Sequence, residues 1–183
     1  MPSYAQFDLW QTTSGANVNT IVQVVQTYYA DPTSQSFPAT SGNGLMTAIA
    51  GISATISPKS TASRILVMCR WFGEHGSYSE SWNSMFGLKR NGVDVGQPSN
   101  PGALTCGIAP SALTYYGADN DSTGDSASFQ YVDSPATISA VTYQMSYCAY
   151  DGETLYTNRD VNAATSGGYE RGTSSIILME IAG

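Results

Sequence analysis

From Ala140 to Ala149 two kinds of side chain alternate. Ala140, Thr142, Gln144, Ser146 and Cys148 fall on one side of an extended chain, and Val141, Tyr143, Met145, Tyr147 and Ala149 fall on the other. A helix would space its apolar residues three and four apart, so this is a strand with an apolar-aromatic core face. Tyr131 opens a second apolar run just upstream, and Asp133-Ser134-Pro135 lies between the two. Residues 131–150 therefore read as strand, corner, strand. The Pro135 ring cannot donate to a ladder, which puts the chain before it at a sheet edge or a corner.

The same pattern predicts the other elements. Ile21 to Tyr29 is a strand ended by Asp31-Pro32, and residues 36–44 form a Ser/Gly/Pro loop. A second strand covers Thr47 to Ile56, where Ile49, Gly51 and Ser53 alternate with Ala48, Ala50, Ile52 and Ala54. Residues 64–72, RILVMCRWF, are nearly continuous in apolar residues, which predicts a strand buried on both sides or at the middle of a sheet, the central strand of the fold. The Gly, Ser and Glu of 73–84 predict an exposed loop. Asn91-Gly92 is a hairpin signal joining 85–89 to a short return strand. Residues 97–127 are the least regular part, with 113–116 as their one strand candidate. Asp151-Gly152 turns the chain into a strand at 153–159, and 173–181, TSSIILMEI, is a closing strand deep in a sheet. Eight or nine strands with no helical period predict an all-β sandwich or jelly roll, with a domain at 19–183. Residues 1–18 read as a separate arm in which Tyr4, Phe7, Leu9 and Trp10 crowd before a polar Gly-containing link. The arm either packs across its own domain or docks on a neighbour through its aromatics.

Composition narrows the function. Only 11 % of the 183 residues are charged and the net charge is −7, so the surface is polar but mostly uncharged and offers phosphate backbones no basic patch. No nucleic-acid partner is expected. No apolar run reaches the about 20 residues of a membrane span, and MPSYAQFDLW lacks the basic start and apolar middle of a signal peptide. The chain is expected to be made soluble in a reducing cytoplasm and not to enter a membrane. Cys69, Cys106 and Cys148 are odd in number and at no metal or redox spacing, which predicts buried reduced thiols.

Catalytic patterns are few. His75, the one histidine, sits in Gly-Glu-His-Gly and is expected to be solvated in the exposed loop; a Ser/His/Asp triad would have to run through it. There is no HExxH and no GxSxG. Asp119-Asn120-Asp121-Ser122-Thr123-Gly124-Asp125 resembles the first half of a calcium loop, but Gln130 stands where the bidentate Glu belongs. Neither a cofactor nor a metal is expected, and the chain is read as non-enzymatic.

Six short pieces carry a family likeness over residues 20–183: IVQVV from Ile21 after Trp-Gln-Thr-Thr-Ser-Gly, ISPKSTASRILV from Ile56, LKRNG from Leu88, YVDSPAT from Tyr131, Thr142-Tyr143, and ILMEI from Ile177. In this order the chain resembles β-rich virion structural or tail-fibre domains of tailed bacteriophages, common in marine and cyanobacterial phages. The resemblance implies a jelly-roll domain that assembles as a homotrimer on the virion surface. The aromatic face of Tyr143, Met145 and Tyr147 points the same way, because it offers more apolar surface than one small sandwich is expected to need. The chain begins at Met1 and holds no shaft of repeats, so the expected role is a capsid decoration or cement protein. Its arm, through Tyr4, Phe7, Leu9 and Trp10, would anchor to the major capsid protein or another virion protein. The alternative is a short tail or head fibre that binds a host surface glycan, with Tyr78 and Trp82 in the 73–84 loop as stacking residues.

Overall fold

A computed structural model describes residues 20–40, 45–76, 83–99, 104–110, 122–162 and 167–183. The strands in chain order are β1 Ile21–Tyr29, β2 Thr33–Phe37, β3 Thr47–Ile56, β4 Arg64–His75, β5 Ser84–Arg90, β6 Val93–Val95, β7 Asp125–Asp133, β8 Val141–Ala149, β9 Glu153–Thr157 and β10 Ser174–Ile181. They form two antiparallel sheets packed as an all-β sandwich. One runs β1-β10-β4-β9-β2, with β7 on the free side of β4, and the other runs β3-β8-β5-β6. Gly73 pairs with Asp125 of β7 on one side and Thr157 of β9 on the other, so β9 continues the edge of β4 that β10 occupies further back.

Alternation decides which side chains fill the space between the sheets. Ile65, Val67, Cys69 and Trp71 of β4 and Ile176 and Leu178 of β10 point inward, against Val141, Tyr143, Met145 and Tyr147 of β8. Tyr143, Met145 and Tyr147 are fully buried inside this one sandwich. The expectation that they supply spare surface for a trimer is thus corrected: two facing sheets need large residues from both sides to reach the close packing of a protein interior.

Three other expectations change. The bounds of β3 agree, but its two-residue period breaks at a bulge between Ala48 and Ser53, so Ile49 and Ile52 both point inward. Gly51 makes this possible with φ of +85°, and a Cβ there would come within 2.7 Å of the Tyr29 ring. β4 extends through His75 because β9 pairs with Gly73, Glu74 and His75. β2 forms where a loop is expected from Ser36 onward, its backbone held in register against β9 from Thr33 to Phe37. The hairpin at Asn91-Gly92 forms as expected, with φ of 49° and 83°, the left-handed pair of a type I′ turn. β7 reaches Asp133 and, among the described residues, pairs only with β4, an edge position running into Pro135.

Candidate interaction surface

Two polar clusters tie the two sheets together, and a third lies within the larger sheet and its loops. In the first, His75 Nδ1 lies 3.0 Å from Glu153 Oε1, and the Tyr147 hydroxyl, 3.2 Å from the same nitrogen, donates to Glu153. Trp71, Phe86 and Phe37 pack around these groups. Burial, reinforced by the Glu153 charge, pushes the Tyr147 phenol far above its ordinary range. His75 is 7 % exposed and Glu153 8 %, which corrects the expectation of a solvated loop histidine. Buried among these aromatic rings, His75, Glu153 and Tyr147 bridge β4 and β9 of one sheet to β8 of the other.

In the second cluster Arg90 Nη1 donates to both Asp133 oxygens at 2.9 Å and the Tyr143 hydroxyl donates to Oδ2 at 2.6 Å. Burial and the hydrogen bond to Asp133 raise the Tyr143 phenol well above normal. In the third, Glu74 accepts from the Thr123 and Val161 amides, while Asp160 Oδ2 accepts from the Glu170 amide at 2.6 Å. Asp160 Oδ1 is buried with no hydrogen-bond partner among the described residues, and burial raises this carboxyl above its usual range. Among the described residues no three metal-ligating side chains come together. Asp119, Asn120 and Asp121 of the calcium-like segment lie outside the described residues, whereas Asp125 is buried at the start of β7. Cys69, Cys106 and Cys148 are buried thiols outside any disulfide, as the sequence predicts.

The open feature of the fold is the outer face of the larger sheet. Register places Val24, Met179, Leu66 and Val132 in one row across β1, β10, β4 and β7. The next row is Gln26, Ile177, Met68 and Gln130, and the one after it Tyr28, Ser175, Arg70 and Ser128. Val24 is 55 % exposed, Val132 47 %, Met68 38 % and Tyr28 63 %. Phe72 ends the patch under Gly124 and Gly172; a Cβ on Gly172 would lie 2.3 Å from its ring. The outward positions of β1, β10 and β7, and of β4 up to Phe72, hold no carboxylate, and their charges are Arg64 and Arg70. A depression of about 510 Å³ opens among Met68, Arg70, Ser128, Gln130, Ser175 and Ile177.

Of the two readings of residues 64–72 the structure bears out the second: β4 lies in the middle of its sheet, and its outward residues Met68 and Arg70 are exposed. Apolar residues at alternate positions look alike whether a second layer or a partner covers them. The signal available in the sequence was Arg70, a charge on the same strand face as Leu66 and Met68. Tyr4, Phe7, Leu9, Trp10, Tyr78 and Trp82 lie outside the described residues, as does the 113–116 strand candidate. No protein-family model and no curated protein matches the chain.

Proposed function

We propose that the chain is a non-enzymatic structural protein of a bacteriophage particle, a homotrimeric capsid decoration protein. In this reading the sandwich is a jelly-roll knob and residues 1–18 are its anchor on a capsid subunit. One observation carries the structural reading: an exposed, largely apolar patch on the outer face of β1, β10, β7 and β4 up to Phe72, with no carboxylate at its outward positions, on a chain of net charge −7. Exposed apolar surface gathered into one patch marks a place of association. The burial of His75, the chain's one histidine, in an aromatic enclosure supports a role without catalysis.

Particles lacking the protein, incubated with the full chain and with a chain lacking residues 1–18, test this reading. The full chain is expected to bind and to raise the temperature at which the particles release their genome. The shortened chain is expected to fold and trimerise but not bind. Binding by the shortened chain overturns the anchor. Particles that keep their heat resistance without the protein but lose adsorption to cells overturn decoration in favour of a receptor-binding fibre.

A further inference from the structure

We infer that copies of this chain meet through the outer face of the β1-β10-β4-β7 region, with Tyr28 of one copy seated in the depression beside Arg70 of the next. The inference deepens the proposed homotrimer and rests on it for the number of copies; the choice of face stands on the observations that follow.

Charge is the first. The chain has 14 Asp and Glu against 7 Lys and Arg, so two copies repel over most of their surfaces. The described outward positions of this patch carry no carboxylate and only two arginines. Association between identical acidic chains is therefore least opposed here. Arg70 is exposed and makes no ion pair or side-chain hydrogen bond among the described residues.

Area is the second. Four strands about 4.8 Å apart and about eight residues long cover roughly 500 Å² in projection. This is near the upper end of the roughly 300–600 Å² of the largest patch on an ordinary monomer. Side chains standing off the pleat bring it toward the roughly 800 Å² each partner gives to a standard interface.

Complementarity within the face is the third. Around a threefold axis the contact is heterologous: the β1 side of one face meets the β4 and β7 side of the next. Tyr28 stands on the β1 side, and the depression with Met68, Arg70 and Gln130 lies on the β4 and β7 side, in the same register rows. Seated there, the neighbour's Tyr28 ring lies against Met68 and Ile177 and under the Arg70 guanidinium, a cation–π contact for a charge with no partner among the described residues. Its hydroxyl reaches the polar rim formed by Ser128 and Gln130. In the same docking Val24 of one copy meets Leu66 and Val132 of the next. A large exposed aromatic fitted to a pocket on the partner is the usual anchor of an interface.

The test is sedimentation equilibrium of the full chain and three variants at micromolar concentration, with the thermal transition of each as a check on folding. The wild-type chain is expected at three times its monomer mass. Met68→Glu, a change at an exposed position, is expected to be folded and monomeric. Tyr28→Ala and Arg70→Ala are each expected to weaken association about tenfold, and the double variant by no more than either alone, because both remove one contact. A monomeric wild-type chain overturns the inference, as does a Met68→Glu chain that associates like wild type. Twice the monomer mass, abolished by Met68→Glu, keeps the face and removes the trimer from the functional reading. A monomeric chain whose Met68→Glu variant loses capsid or host-glycan binding assigns the face to that partner and overturns self-association.

Discussion

Glu180 is a fully buried carboxylate held by donors from three directions. Gln23 Nε2 and the Lys59 amide each donate at 2.6 Å, and Ser63 donates as well. Burial alone would raise its pKa, but these hydrogen bonds and the Lys59 charge outweigh it, and the carboxyl is held below its usual range. The folded state therefore favours the ionised form. The stability it contributes is complete above the unfolded carboxylate pKa and is lost as pH falls through the lowered folded value. Glu180→Gln is expected to cost about 2 kcal/mol at pH 7, with the difference from wild type shrinking toward pH 3. Urea unfolding of both proteins at the two pH values checks this, and a difference that does not change with pH counts against it. The thiols behave differently. Burial pushes Cys69 up to about 12 and Cys148 to about 11, so both are protonated at pH 7 and shielded from reagents. Iodoacetamide is expected to modify them only in denaturant, read by mass spectrometry, and modification of either in the folded protein would refute that. Buried thiols were legible because Cys69 and Cys148 stand within strand patterns. The Glu180 site was not, because its donors come from segments more than 100 positions away along the chain.

At the scale of elements, local pattern gave β1 and β3 with their bounds, the Asn91-Gly92 hairpin and all of β10. Each is bracketed by turn residues and keeps a two-residue alternation over most of its length. Pattern failed where pairing overrides it. β2 has little apolar content and is a strand through its ladder to β9, and β4 gains three residues from that same partner. The bulge in β3 shows how one residue rephases a strand. Gly51→Val forces a branched side chain into a left-handed conformation and against the Tyr29 ring. It is expected to cost about 3 kcal/mol, measured by chemical denaturation. A variant as stable as wild type would mean that Tyr29 moves aside freely.

At the scale of the whole molecule, the all-β class was legible, but the partition of strands between two sheets was not. Neighbours in sequence such as β7 and β8 lie in different sheets, whereas neighbours in space such as β1 and β10 are far apart in the chain. The outer face was illegible for a related reason, since only the assembled sheet brings Tyr28, Ser175 and Arg70 into one row. For an apolar contact between like-charged copies, raising NaCl from about 20 mM to about 500 mM is expected to tighten association by screening their repulsion. Sedimentation that weakened with salt would point to an interface of ion pairs instead. The place of β10 bears on how the protein is made. It fills the gap between β1 and β4, and its Glu180 meets Gln23 across 157 positions of sequence. A ribosome will have produced nearly everything upstream before β1 and β4 have the strand that joins them. The larger sheet therefore closes only after the nine preceding strands have been made, and slowly, as non-local pairings do. Until then β1 and β4, both rich in apolar residues, present open edges on the nascent chain, and a product that stops short of β10 is left with an unfilled gap and a strong tendency to aggregate.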